Sequence, residues 1–150
     1  MTDVLDLFHQ LVRFETELWN AIDARLRADF DLPLSRLEPM QVIARYPLCR
    51  VNDIAEELSI TIGGTSKLVD RIEAAGHCVR RANPDDGRSS VIELTAVGRR
   101  VLTKAAKAFE DELETRLRSA VSARSLQQLH STVVKLRAAN ASHDEGQQST

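Results

Sequence analysis

The chain has 150 residues, of which 43% are hydrophobic and 28% are charged, and its formal net charge is −2 at pH 7. This composition is ordinary for a folded domain, and no apolar run approaches the roughly 18 residues that a membrane helix needs. The N-terminus, MTDVLDLF, begins acidic and has no basic segment followed by an apolar one, so the sequence predicts a cytoplasmic protein.

The first predicted helix covers about residues 3–30 and is apolar on two sides. One stripe consists of Leu5, Phe8, Val12, Trp19, Ile22 and Leu26, and its neighbour of Leu7, Leu11, Phe14 and Leu18. Because such a helix must bury both sides, we expect it to pack against other helices. Residues 33–46 predict one more short helix, with Pro39 near its start or kinking it.

Two short helical patterns follow, separated by a break at residues 59–61. In the first pattern Ile54, Ala55 and Leu58 share a face. The second pattern directs inward Ile62, Thr65, Leu68 or Val69, and Ile72. Gly76 ends this second helix, because glycine adopts the left-handed conformation at little cost. The outward face is then formed by Thr61, Gly63, Gly64, Ser66, Lys67, Asp70 and Arg71.

Gly63 and Gly64 are unusual inside a helix, where each costs roughly 1 kcal/mol relative to alanine. One hypothesis is that they let the backbone approach a binding partner closely. The alternatives are a frayed first turn, or a loop that ends later than the pattern indicates.

A short hairpin is predicted directly after Gly76. CVRRA and SSVIEL alternate as strands do, and NPDDGR between them is rich in turn formers. The tip therefore presents Asp85, Asp86 and Arg88 to solvent. Two helices followed by a basic hairpin are the layout of a winged helix-turn-helix, which fits the DNA major groove. A tip arginine can enter the minor groove, and the alternative is a solvated surface arginine.

The residues KLVDRIEAAG, Arg80 and NPDDGRSSVIELTAVG resemble the recognition helix and wing of the multiple-antibiotic-resistance regulator (MarR) family. The wing of that family carries Asp-x-Arg and then Leu-Thr-x-x-Gly, which are here 86–88 and 94–98, and looser similarity extends over about residues 3–140. The resemblance implies that Arg88 is the minor-groove arginine, that Asp86 orients it, and that Ser66 and Lys67 face DNA. The candidate DNA-binding residues are Thr61, Gly63, Gly64, Ser66, Lys67, Arg71, Asp86 and Arg88.

Two features depart from the family pattern. Gly87 stands where the family often has a second basic residue, and TIGGTSK is less polar than many recognition helices. The docking mode is compatible with both, but the operator sequence does not follow. The charge distribution agrees with the motif, since residues 1–60 hold 6 basic and 11 acidic side chains and residues 61–100 hold 7 and 5.

The C-terminal part predicts helices over about residues 96–139. Their apolar positions are Leu102, Ala105 or Ala106, Phe109, Leu113, Leu117 and Val121, and then Leu126, Leu129, Val133 and Leu136. A small winged domain cannot cover so much apolar helix, so we expect both termini to pack together and against a second copy. The resemblance likewise implies a homodimer built by the N- and C-terminal helices.

The expected fold class is mainly α with a small β-hairpin, a winged helix-turn-helix with N- and C-terminal dimerisation helices. We expect a single domain over residues 1–140. Its dimerisation helices cover about 3–30 and 96–139, and the winged lobe covers about 34–95. Residues 141–150, ASHDEGQQST, predict a disordered tail because they are polar and lack large apolar side chains.

Motifs for catalysis are missing from the sequence. It has no glycine-rich phosphate loop, no His-Glu-x-x-His and no Gly-x-Ser-x-Gly, and its four histidines share no metal-ligand spacing. We therefore expect no enzyme activity, no cofactor and no metal.

The function predicted is that of a transcriptional regulator, a repressor that binds a pseudo-palindromic operator in double-stranded DNA as a homodimer and is released by a small molecule. The resemblance implies that small anionic aromatic compounds bind a crevice between the dimerisation helices and the lobe. His9, Arg13 and Trp19 on the first helix are candidates for that site, and ordinary core and surface positions are the alternative.

Two alternative functions remain open. Cys49 or Cys78 could sense oxidants, although the reactive cysteine of peroxide-sensing relatives lies early in the first helix, where this chain has none. The fold could also serve as a protein-interaction module, which an acidic or apolar outward face on the second helix would favour.

Overall fold

The protein is described by a computed structural model that covers residues 1–148, with the backbone alone for residues 147 and 148. In chain order its elements are α1 (Val4–Phe30), α2 (Leu34–Arg45), α3 (Val51–Leu58), α4 (Ile62–Ala74), β1 (Cys78–Ala82), β2 (Ser90–Leu94), α5 (Ala96–Arg118) and α6 (Ala123–Gln148). The predicted fold class, mainly α with one small hairpin, is confirmed.

Contacts between residues divide the chain into two compact units. The first runs from Met1 to Glu110 and contains α1 to α4, the hairpin and most of α5, and the second begins at Asp111. The apolar stripes of the sequence thus lie on α1 in the first unit and on α5 and α6. The single domain and the dimerisation role of these helices stay predictions. No helix among the described residues is long and apolar enough to cross a membrane.

Helix α2 is the centre of the first unit, where it contacts α1, α3, α4 and β2. Its fully buried side chains include Leu34, Leu37, Met40 and Val42. Asp23 of α1 holds the start of α2 in place, since its Oδ1 accepts a 2.8 Å hydrogen bond from the Leu34 amide. Burial raises the pKa of Asp23, but that amide and the Arg27 guanidinium outweigh it and hold the pKa below its ordinary value.

The helix-turn-helix forms where the sequence predicts it. Helix α3 ends in a left-handed Ser59, and α4 ends before Gly76 at φ 78°, where the His77 amide donates to the Ile72 carbonyl at 3.0 Å. This is the glycine-terminated helix end expected from the sequence. The inward face of α4 is Thr65, Val69 and Ile72, all fully buried. The prediction for Ile62 is wrong: it is 60% exposed, because it is the first residue of α4 and the buried face begins only at Thr65.

The hairpin is a pair of antiparallel strands, and hydrogen bonds connect its base to the start of α5. Cys78 pairs with Leu94, and Ala82 with Ser90. The Thr95 hydroxyl donates to the Gly76 carbonyl at 2.6 Å and accepts from the Gly98 amide at 3.0 Å, so it caps α5 on the end of α4. A Cβ on Gly98 would lie 2.0 Å from the His77 carbonyl oxygen, so only glycine fits there.

The second unit corrects the prediction of a disordered tail. Helix α6 continues through residue 148, so residues 141–148 are helical, and residues 149 and 150 lie outside the described residues. The Ser122 hydroxyl accepts from the Ser125 amide at 3.2 Å and starts this helix. The prediction rested on the lack of apolar side chains, which excludes burial. It does not exclude a helix, since residues 137–145 contain good helix formers and no proline.

Candidate nucleic-acid interface

The N-terminal turn of α4 is an open, exposed surface. Thr61 caps it, because its Oγ1 accepts from the Gly64 amide at 3.1 Å. The helix begins at Ile62, so both glycines lie in its first turn, and a loop that ends later is excluded. A Cβ on Gly63 would meet nothing within 4 Å, whereas one on Gly64 would lie 3.0 Å from Thr61 Oγ1. Contacts within the protein therefore do not require glycine at position 63.

Two cations stand on the exposed face of α4. Lys67 and Arg71 are one helical turn apart and are both exposed. Among the described residues neither has an ion-pair partner. Ser66 is half-buried, and its carbonyl accepts from Arg80 Nη2 at 3.3 Å. The side chains of Lys67 and Arg71 are thus free to bind an anion outside the chain.

Arg80, the strand arginine of the motif, is not free. Its Nη2 lies 2.8 Å from Asp70 Oδ1 and its Nη1 lies 3.5 Å from Glu73 Oε1. Its backbone amide also donates to Glu73 Oε2 at 3.0 Å. The side chain is only 25% exposed, so Arg80 ties β1 to α4, and its single positive charge compensates part of the negative charge of the two carboxylates of the helix.

Arg81, the next residue on the strand, is also paired. Its Nε lies 2.7 Å from Glu93 Oε2 across the hairpin. Both arginines belong to the strand CVRRA of the predicted basic hairpin. Their partners could not be found from the sequence, because Asp70 and Glu93 become neighbours of β1 only when the helix and the second strand fold against it.

The tip of the wing is held by its own side chains. Asn83 Nδ2 donates to Ser89 Oγ at 2.9 Å and closes the turn. Asp86 Oδ1 accepts from the Arg88 amide at 3.0 Å, so this carboxylate fixes the backbone from which the Arg88 side chain projects. Arg88 is exposed, and no carboxylate among the described residues pairs with its guanidinium.

The three unpaired cations Lys67, Arg71 and Arg88 define what we call the basic surface of α4 and the wing. Asp70, Glu73 and Glu93 beside it are paired with Arg80 and Arg81, so these three cations lack ion-pair partners among the described residues although the chain as a whole is acidic. An exposed helix next to a hairpin, with free cations on both, is suited to a phosphate backbone and a groove.

Both cysteines are buried thiols. Burial, with a smaller effect of Asp53, raises the pKa of Cys49 to about 11, and burial followed by Glu73 raises the pKa of Cys78 to about 11. The thiolate is the form that reacts with peroxide, so neither site favours that reaction. These values argue against the oxidant-sensing alternative.

Of the three candidate ligand residues, Trp19 lines a depression in the described part of the chain, and His9 and Arg13 are not among the residues that line it. His9 and Arg13 are exposed on α1, and the His9 ring stands 5.8 Å from that of Phe8. Trp19 is 38% exposed and lines a shallow depression of about 270 Å³ with Glu15 and Thr16. Their role in ligand binding stays a prediction.

Comparison with known proteins finds a family that the helix-turn-helix region resembles. Residues 31–89, which include α2, the helix-turn-helix and most of the wing, match the family model described as "MarR family". The match covers less than half of the chain, and over these residues the chain is similar to the MarR family. The resemblance seen in the sequence is thereby confirmed. The family and the curated relatives are helix-turn-helix transcriptional regulators and not enzymes.

The curated relatives are distant and match in part. YfiV of Bacillus subtilis, an uncharacterized helix-turn-helix transcriptional regulator, is 27% identical over 71 residues, which are 47% of this chain and 44% of YfiV. The chain spans less than two thirds of the length of the first curated relatives it matches.

Solved structures match over most of the chain. Sco3205 of Streptomyces coelicolor, a MarR-family regulator in complex with DNA, has a TM-score of 0.82 at 21% identity over 91% of this chain and 88% of its own. CouR of Rhodococcus jostii, bound to p-coumaroyl-CoA, has a TM-score of 0.76 at 19% identity over 87% and 91%. At these identities the likeness shows the fold.

Proposed function

We propose that this chain is a sequence-specific DNA-binding transcriptional regulator of the MarR type, whose basic surface of α4 and the wing contacts the duplex. The observation that carries the proposal is that Lys67, Arg71 and Arg88 are exposed without ion-pair partners, while the nearby Asp70 and Glu93 are neutralised by Arg80 and Arg81. A side-chain cation without an ion-pair partner releases counterions from the DNA when it neutralises a phosphate. A cation that is already paired within the protein releases fewer.

Helix α4 enters the major groove in this proposal, and the wing follows the adjacent minor groove. Thr61, Gly63 and Gly64 form the exposed N-terminal turn, where backbone amides face the phosphates. Ser66, Lys67 and Arg71 lie along the helix towards the base edges. Asp86 positions Arg88 through its backbone amide, and the guanidinium reaches into the minor groove.

A homodimer supplies two such surfaces. In the first unit, α1 leaves large apolar side chains exposed in the single chain, among them Leu5 at 61%, Phe8 at 59% and Phe14 at 46%. In the second unit α6 does the same with Leu136 at 58% and Val134 at 50%. Contiguous apolar surface of this kind marks a protein interface. A two-fold dimer binds a pseudo-palindromic operator with half-site centres about 10–10.5 bp apart.

The proposed regulator represses transcription, and a small anionic ligand relieves this repression. It acts in the cytoplasm, where it meets DNA. Support comes from Sco3205, which was solved with DNA, and from CouR, which was solved with p-coumaroyl-CoA. The protein-interaction alternative is disfavoured, because the exposed face of α4 carries free cations and its acidic residues are paired.

Selection from a random pool of duplex DNA tests the proposal. The bound pool should converge on an inverted repeat with the stated half-site spacing. Light scattering of the complex should give two chains per duplex. A pool that stays random after repeated rounds, or a complex with one chain on a single half-site, contradicts it.

A further inference from the structure

An exposed apolar side chain stands at the start of α4, where the sequence predicts a buried one. Ile62 is the first residue of the helix and is 60% exposed. The buried face of α4 begins only at Thr65, so packing inside the chain covers less than half of the isoleucine. Isoleucine is also only a moderate helix former, so the stability of the helix does not account for it. The side chain of Ile62 is therefore available to a partner outside the chain.

The neighbours of Ile62 make it the side chain that the first turn of α4 presents. Gly63 and Gly64 have no side chains, and Thr65 is fully buried. Cα–Cβ bonds in a helix tilt towards its N-terminus, so the Ile62 side chain projects at the end of α4. Ile62 is thus the exposed side chain among the first four residues of the helix.

The chemistry of this turn limits which base edges it can read. Residues 59–66, SITIGGTS, contain no charged side chain, no asparagine and no glutamine. The turn therefore lacks the guanidinium and amide groups that read guanine and adenine through paired hydrogen bonds. The Thr61 hydroxyl oxygen already caps the helix, since it accepts from the Gly64 amide at 3.1 Å. An apolar side chain remains, and the apolar group that bases display in the major groove is the C5-methyl group of thymine.

We propose that Ile62 is a specificity-determining residue that packs on the C5-methyl group of a thymine in each half-site of the operator. The inference rests on the proposed function, in which the N-terminal residues of α4 meet base edges in the major groove. Open space surrounds the Cβ position of Gly63, and the missing side chain there lets the helix approach the bases closely. A methyl contact neutralises no phosphate, so it changes which sequence is bound and leaves the salt dependence unaltered.

Replacement of thymine by deoxyuridine tests the inference, because it removes the C5-methyl group and nothing else. Each thymine of the operator selected from the random pool is replaced in turn, in both half-sites at once, and Kd is measured by fluorescence anisotropy. At one thymine position the parent protein should bind about fourfold more weakly for each methyl group removed, the loss expected for one buried methyl group. Two half-sites then give a loss of about fifteenfold per dimer.

Variants of the protein assign the methyl contact to Ile62. Ile62→Ala should bind the thymine and deoxyuridine operators equally well at that position, with the same slope of log K against log salt as the parent. Alanine is the better helix former, and thermal melts verify that the variant folds. Val97→Ala is the matched control, because it trims an exposed β-branched side chain in the first turn of α5. This control should keep the preference of the parent for thymine.

The outcomes separate this inference from the proposed function on which it rests. If the parent selects no operator from the pool, the DNA-binding proposal fails and the inference fails with it. Three results overturn the inference alone while the parent still binds a selected operator. They are half-sites without thymine, deoxyuridine replacements that are all neutral, or an Ile62→Ala variant that keeps the preference for thymine.

Discussion

At the scale of single residues, the Leu-Thr-x-x-Gly motif has a structural role at the base of the wing. Thr95 joins the end of α4 to the start of α5 through two hydrogen bonds, at 2.6 and 3.0 Å. Gly98 lets the His77 carbonyl approach α5 closely. This motif, which is part of the resemblance to the MarR family, therefore fixes where the hairpin leaves the helices, and its residues need not touch DNA.

Gly98→Ala should destabilise the fold. The new Cβ would lie 2.0 Å from a backbone oxygen, which no rotamer can relieve, so α5 or the hairpin must shift. Overpacking of this kind costs about 1–3 kcal/mol or more in the free energy of unfolding, measurable by urea denaturation. Gly63→Ala is the control, because open space surrounds its Cβ. It should keep or raise stability, by up to about 1 kcal/mol, and lower DNA affinity if the backbone approaches DNA there. Equal stability of the two variants would contradict this account of Gly98.

Replacement of Cys49 and Cys78 by serine, one at a time, should leave the response to peroxide unchanged. Burial raises the pKa of each thiol to about 11, so the thiolate is scarce at neutral pH, and the parent protein should already ignore mild oxidation. DNA binding is measured by fluorescence anisotropy before and after peroxide treatment. Release of DNA by the oxidised parent, abolished in either variant, would restore the redox-sensing hypothesis.

At the scale of elements, the helix-turn-helix and hairpin are predictable because local signals mark their ends. Gly76 adopts the left-handed conformation that terminates α4, and NPDDGR supplies the turn formers of the wing. The predictions that were wrong concern positions where the local sequence carries no signal for burial or for the end of an element. Ile62 fits the apolar period but precedes the buried face, and residues 141–148 are helical although the side chains of 141–146 are exposed. The pairing of Arg80 with Asp70 depends on how β1 packs on α4, which periodicity does not encode.

Arg80 should act on DNA binding through α4. Arg80→Met removes its ion pairs but keeps its aliphatic stem, and leaves two uncompensated carboxylates beside the phosphates. We expect weaker DNA binding and a loss of stability on the order of 1 kcal/mol, since the pairs are partly exposed. Addition of Asp70→Asn should recover part of the affinity, as measured by anisotropy on one duplex. If it recovers none, and Arg80→Met flattens the salt dependence as Arg88→Ala should, Arg80 contacts a phosphate directly.

At the scale of the whole molecule, an acidic chain leaves cations without ion-pair partners on α4 and the wing because the carboxylates of α4 and β2 pair with Arg80 and Arg81. Residues 61–100 carry an excess of only two positive charges, and the sequence alone makes this weak support for DNA binding. Once Arg80 and Arg81 are engaged, the free cations Lys67, Arg71 and Arg88 gather on α4 and the wing tip. The apolar faces of α1 and α6 are also exposed in the single chain. A dimer would bury these faces and would present two copies of the basic surface.

The salt dependence of DNA binding by Arg88→Ala tests the central claim most directly. Binding to the selected operator and to unrelated duplex is titrated at several salt concentrations, with Arg100→Ala as a control that makes the same charge change at an exposed site on α5. Arg88→Ala should weaken binding to both duplexes and flatten the slope of log K against log salt by about one unit per subunit, or about two per dimer. Arg100→Ala should leave the slope near that of the parent. Unchanged affinity and slope for Arg88→Ala would contradict the role of the wing in the proposed interface.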